Sequence, residues 1–110
     1  MINGEAVFGF YFPAEKDMLD VYRYMADALS VPETGILYLE KFQDAVEGLR
    51  VFPGRFKKVF TVNGREIRFC PVENYLIFYR ISEKRERVEV IRILYSRRDY
   101  EALFRRLADE

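Results

Sequence analysis

Two strand-like runs joined by a charged turn dominate the chain between Tyr75 and Tyr100. The first, Tyr75 to Ile81, is built from β-branched and aromatic residues, which suit a pleated surface. Alternation puts Tyr75, Ile77, Tyr79 and Ile81 on one face and Leu76, Phe78 and Arg80 on the other. Ser82 to Arg87 is almost devoid of apolar residues and reads as a solvated turn. Val88 to Tyr95 is the second run. Both runs are apolar at nearly every position, so both faces of the sheet they enter need a cover. Ser96-Arg97-Arg98-Asp99 ends the second run ahead of Tyr100.

The rest of the chain divides by hydrophobic period. Ala6 to Phe12 reads as a strand that Pro13 ends. Over residues 14–30, Met18, Val21, Tyr22, Met25 and Leu29 form one helical stripe. Ser30, Pro32 and Glu33 have the spacing of an N-cap, a first-turn proline and a capping box for a second helix. Leu39, Phe42, Val46 and Leu49 are its stripe, widened by Ile36, Tyr38 and Ala45, and Pro53-Gly54 stops it. So short a link predicts an antiparallel helical hairpin. Residues 58–62 and 65–70 flank Asn63-Gly64, the strongest local signal for a tight β-hairpin. Pro71 to Asn74 reads as the turn into the central pair. Ala102, Leu103, Phe104 and Leu107 predict a short C-terminal helix. The expected fold is α+β, one domain over residues 1–110, with the hairpin on a small antiparallel sheet.

Charge is balanced overall but not along the chain. Residues 1–50 hold nine acids and four bases, whereas residues 51–110 hold fourteen bases and nine acids. That asymmetry points to one basic surface and an acidic partner, or to acidic helices attracted to basic strands. There is no histidine, which removes the usual zinc sites and the histidine-dependent nucleophile triads. Cys70 stands alone, so no internal disulfide forms and a structural thiol is expected. No cofactor and no metal are implied. No apolar run approaches a membrane span and the N-terminus lacks the pattern of a signal peptide, so a cytoplasmic location is expected.

In order and spacing, Asp17–Phe42, Leu49–Gly54, Asn74–Ile81 and Val88–Tyr100 resemble the RelE/ParE superfamily of toxins from type II toxin–antitoxin pairs, which include plasmid-stabilisation modules. The resemblance implies a toxin held inactive by a cognate, often acidic antitoxin whose partly disordered C-terminal segment wraps the sheet and helices. RelE-like members cleave messenger RNA in the ribosome, and ParE-like members poison DNA gyrase. RelE-like members carry a catalytic arginine after the tyrosine that opens the third strand; Leu76 holds that place here. Arg97 matches their second arginine, and Leu103 stands where their tyrosine would. The ParE side therefore fits better, with a RelE-like endonuclease or an inactive binding or repressor subunit as alternatives.

If the chain cleaves RNA, Arg65, Arg68, Arg80 and Arg97 are the candidate phosphate partners. Tyr95, Tyr100 or Glu66 would carry proton transfer. Arg80, Arg92, Arg97 and Arg98 are the candidate partner-binding residues. Tyr22, Tyr24 and Tyr38 read as packing residues of the hairpin.

Overall fold

A computed structural model describes residues 7–108, with the side chains of residues 9–106. It runs β1 (Val7–Phe10), α1 (Phe12–Arg23), a π-helical turn (Tyr24–Ala28), α2 (Pro32–Leu49), β2 (Lys58–Val62), β3 (Arg65–Val72), β4 (Tyr75–Ser82), β5 (Arg87–Tyr95) and α3 (Tyr100–Ala108). The first residue of the expected N-terminal strand, Ala6, lies outside the described residues, as does the side chain of Leu107.

The sheet order is β1-β5-β4-β3-β2. β2 to β5 form an antiparallel meander, and Asn63 and Gly64 take positive φ angles of 52° and 77° in the expected tight turn. β1 departs from the expected antiparallel sheet. It lies parallel to β5, with Val7 opposite Arg87 and Phe10 opposite Val90, which makes the sheet mixed. Residue alternation sets which faces a strand presents but not its pairing direction. Direction here follows from the helical hairpin, which carries the chain from one edge of the sheet to the other.

Several boundaries shift for local reasons. Pro13 does not close β1; it sits in the first turn of α1, where its missing N–H costs nothing. The expected Ser30 cap is not made. Val31 is the N-cap of α2, no side chain caps it, and Ser30 instead adopts φ 57° in the link. β3 runs through Pro71 to Val72, so the turn shrinks to Glu73 and Asn74.

Both sheet faces are covered, as the doubly apolar strands require. One face packs Ile77, Tyr79, Val88, Val90 and Ile93 against Val21, Met25, Phe42, Val46 and Leu49 of the helical hairpin. α2 approaches α1 closely at Gly35, where an added Cβ would stand 3.0 Å from the Tyr22 ring. The other face packs Ile67, Leu76, Phe78 and Leu94 under Phe104 of α3. The expected stripes include positions that remain outside the core: Leu29 and Ile36 are exposed.

One buried carboxylate joins the layers. β5 carries an extra residue, Ile91, because Phe78 pairs with Arg92 while Tyr79 pairs with Val90. Asp17 of α1 meets this bulge. It accepts two hydrogen bonds from Arg92, at 2.7 and 3.0 Å, and one from the Ile93 amide at 2.8 Å. Beyond the C-terminus of α2, the Tyr79 hydroxyl donates to the Pro53 carbonyl at 2.7 Å, and burial pushes this phenol up to about 12.

Phe42 and Phe78 anchor opposite faces and are both fully buried. Replacing either with alanine is expected to cost about 3–5 kcal/mol, as large-to-small substitutions in packed cores do. Denaturant melts of the two variants measure this; a loss under about 1 kcal/mol would place the residue outside a packed core.

Candidate functional site

α3 covers only part of the second face. Phe104 stacks on Phe60 at 5.2 Å between ring centroids and tilts over Phe78 at 4.8 Å. Beside it the sheet stays open as a groove of ≈ 480 Å³, floored by Ile67, Ile91 and Phe104 and edged by Tyr11, Asn63, Arg65 and Arg80. Two smaller hollows of ≈ 340 and ≈ 390 Å³ share Arg65 and Arg80 with it. An apolar floor between two guanidinium groups suits an anion carried next to a hydrophobic group.

The groove's charge is organised by Glu89, which has no exposed surface. It lies on β5, where Arg80 of β4 is its direct cross-strand partner. One carboxylate oxygen accepts from Arg80 at 2.6 Å and from the Tyr11 hydroxyl at 3.2 Å. The other accepts from Arg87 at 2.7 and 2.9 Å and lies 3.5 Å from Arg85. Burial alone would push the Glu89 carboxyl up. The bonds from Arg87, Arg80 and Tyr11 outweigh that and hold it below the ordinary carboxylate value. The cluster therefore keeps a surplus of positive charge, with Arg80 fixed in orientation and Arg65 free of any ion pair among the described residues.

The residues singled out from the sequence converge only in part: Arg65, Glu66, Arg68 and Arg80 line one hollow, whereas Tyr95, Arg97, Arg98 and Tyr100 lie elsewhere. Arg65 and Arg80 share the groove, at one end of the sheet. Arg97 and Arg98 are exposed on the turn beyond Tyr95, at the other end. Tyr75 pairs with Tyr95, and Arg80 pairs with Glu89 five residues further along β4, roughly 17 Å of strand. Arg68 alternates to the hairpin side, where its guanidinium bonds the Phe56 carbonyl and lies 3.6 Å from Glu66. Arg92 is engaged internally by Asp17. Tyr100 packs its ring against Phe60, Phe69 and Phe78. Leu76 is buried in that same layer, and Leu103 packs half-buried against it. Asp99 caps α3, accepting from the Ala102 amide at 3.1 Å. Among the described residues, no group of histidine, cysteine or acidic side chains is placed to hold a metal. No helix among them is long and apolar enough to cross a membrane.

Sequence reasoning passes over Glu89, Asp17 and Tyr11. The available signal was an acid in the middle of an otherwise apolar strand, since such a residue needs buried cationic partners.

Comparison with known proteins adds the decisive observation. Residues 13–100 match the family model of the ParE toxin of type II toxin–antitoxin systems. This chain is a member of the ParE toxin family. The match runs from the first turn of α1 to the first residue of α3, and so includes Arg65, Arg80 and Glu89 but not Tyr11 or Phe104 of the groove. Solved structures share the fold. The chromosomal ParDE toxin–antitoxin system of P. aeruginosa superposes with a TM-score of 0.69 at 16% identity, covering 84% of this chain and 98% of that one. The RelBE2 toxin–antitoxin complex of Mycobacterium tuberculosis gives 0.55 at 18% identity, over 83% of this chain and 98% of that one. The RelE–RelB complex of Pyrococcus horikoshii OT3 gives 0.51 at 14% identity, over 86% and 98%. No curated protein matches this ParE-family chain in sequence.

Because the folded Glu89 carboxyl is depressed, its contribution is full above the ordinary value of 4.5 and is lost as pH falls through the lower folded value. Glu89→Gln is expected to cost about 3–5 kcal/mol near neutrality, since it leaves clustered arginines without their buried counter-charge. The gap between variant and parent should narrow in acid. Melts of both proteins from pH 7 to pH 2.5 check this, and a gap that widens in acid would contradict it.

Proposed function

We propose that this ParE-family toxin inhibits DNA gyrase by binding it and is neutralised by a cognate acidic antitoxin. The observation that carries the reading is the match to the ParE family model over residues 13–100. The separation of Arg97 from Arg65, Arg68 and Arg80 supports a binding role over RNA cleavage. Cleavage needs cationic and proton-transfer groups around one phosphate. Here Arg65 and Arg97 lie at opposite ends of the sheet, Leu76 is buried, and Tyr100 belongs to an aromatic layer.

Two assays decide between targets. Purified toxin, free of antitoxin, is expected to block gyrase supercoiling and to leave ribosome-bound messenger uncut in a translating extract mapped by primer extension. Defined cuts at the ribosomal A site that vanish in Arg97→Ala or Arg68→Ala would establish the RelE-type activity instead. Absence of both activities would leave a toxin fold kept as a binding or repressor subunit.

The antitoxin segment fits the groove between Arg65 and Arg80, with an acidic side chain at the guanidinium groups and an apolar one on Ile67, Ile91 and Phe104. Affinity for the cognate antitoxin should fall with rising salt, as charge-steered association does. Arg65→Glu should weaken binding about tenfold or more and flatten the salt dependence, since it reverses an unpaired charge. Titrations at low and high ionic strength measure both effects, and affinity indifferent to salt would leave the apolar floor as the determinant.

A further inference from the structure

On the hairpin side of the sheet, away from the arginine groove, the link end of the helical hairpin overhangs a cavity of ≈ 620 Å³. Four tyrosines enter its wall from four separate elements: Tyr24 from the π-helical turn, Tyr38 from α2, Tyr75 from β4 and Tyr95 from β5. Tyr38 and Tyr95 each meet Tyr75 edge-on, at 5.7 Å between ring centroids. No residue of the wall carries a charge. Burial, and then the nearby hydroxyls of Tyr38, Tyr95 and Tyr24, raise the Tyr75 phenol, so it stays neutral at physiological pH.

The backbone is shaped around this cavity. α1 widens into a π-helical turn at Tyr24, with the Leu29 amide donating to the Tyr24 carbonyl at 3.1 Å. Ser30 follows in the left-handed region. Both are unfavourable conformations that recur at functional sites. Their effect is to leave Tyr24, Leu29 and Val31 at the surface, Tyr24 at 55% exposure. The expectation that Tyr24 packs within the hairpin does not hold.

We infer that this cavity is an aromatic cage that takes a cationic side chain, an arginine or lysine, of a partner protein. Neutral aromatic rings present negative faces, and several converging on one cavity attract a desolvated cation. Charge in the adjoining sequence agrees. Asp27 lies on the π-helical turn with Tyr24, and Glu33 precedes Thr34 of the wall; both are exposed and make no ion pair among the described residues. The helical half of the chain is also the acidic half. Lys41 lies 5.8 Å from the Tyr38 ring centroid but is held by Glu73 at 2.7 Å. Arg23, Arg97 and Arg98 stand nearby in sequence but are exposed, so solvent and salt screen them, whereas the rings would touch the guest. The cage is separate from the groove assigned to the acidic antitoxin segment, and its test is independent of the gyrase reading.

Three probes of similar length test it: butylguanidinium, pentanol and pentanoate, titrated into the full chain with the tyrosine ring signals followed by NMR. Butylguanidinium is expected to shift the rings of Tyr24, Tyr38, Tyr75 and Tyr95 saturably and to bind several-fold more tightly than either other probe. Tyr24→Leu should weaken it about two- to fivefold, the share of one ring at a partly exposed site, whereas Tyr24→Phe should keep it. Tyr24 is largely exposed, so both variants should fold, and their melts check this. Equal or tighter binding of pentanol would make the cavity an apolar slot. Preference for pentanoate would mean that Arg23, Arg97 or Arg98 dominates. Absence of binding by butylguanidinium, or an equal loss in Tyr24→Leu and Tyr24→Phe, would also overturn the cage.

Discussion

The bulge in β5 is the constraint on which the remaining architecture depends. An extra residue at Ile91 breaks the ladder with β4 and leaves the Ile93 amide seeking an acceptor. Asp17 supplies it and at the same time binds Arg92 through two nitrogens. One carboxylate thus fixes the rotation of α1, the position of the bulge and the direction of a long cationic side chain. Were Arg92 absent, Asp17 would be a charge taken out of water for a single amide bond, a costly arrangement. Because β5 lies between β1 and β4, fixing its register fixes both neighbours.

Glu89 plays the corresponding part on the open face. Both acids reach β5, yet they serve different ends. Asp17 is enclosed between helix and strand, so its cation is consumed in holding the fold. Glu89 is surrounded by more cations than it neutralises, so it holds Arg80 rigid and leaves net positive charge beside the groove. Buried acids within a basic half of the chain therefore sort its arginines into internal and outward-acting groups, a distinction that charge counting cannot make.

Most of the architecture was legible in the sequence because it is local. Alternation over residues 75–81 separated the two faces correctly, down to Tyr79 against the helices and Phe78 against α3. Asn63-Gly64 marked its turn, and the hairpin period marked both helices. What escaped was non-local. The parallel pairing of β1 joins residues eighty positions apart. The failed Ser30 cap follows from a π-helical turn that the hydrophobic period does not encode. The site was less legible than the fold for the same reason. Arg65, Arg68, Arg80, Arg92 and Arg97 look equivalent in sequence, and only the sheet register sends them to a groove, the hairpin side, a buried clamp and a distant turn.

The parallel seating of β1 carries a consequence for how the molecule is made. β1 and the helical hairpin come first in the chain, yet the strand they rest upon, β5, comes nearly last. Val21, Met25, Phe42, Val46 and Leu49 have only one another to cover them until Cys70, Ile77 and Tyr79, and then Val88, Val90 and Ile93, are available. Closing so long a loop is slow, because its entropic cost precedes its reward. A chain emerging from the ribosome thus holds an exposed apolar hairpin until β3, β4 and β5 follow it. The Asp17 clamp and the Glu89 cluster, and with them the arginine groove, come into being together once β5 is in place.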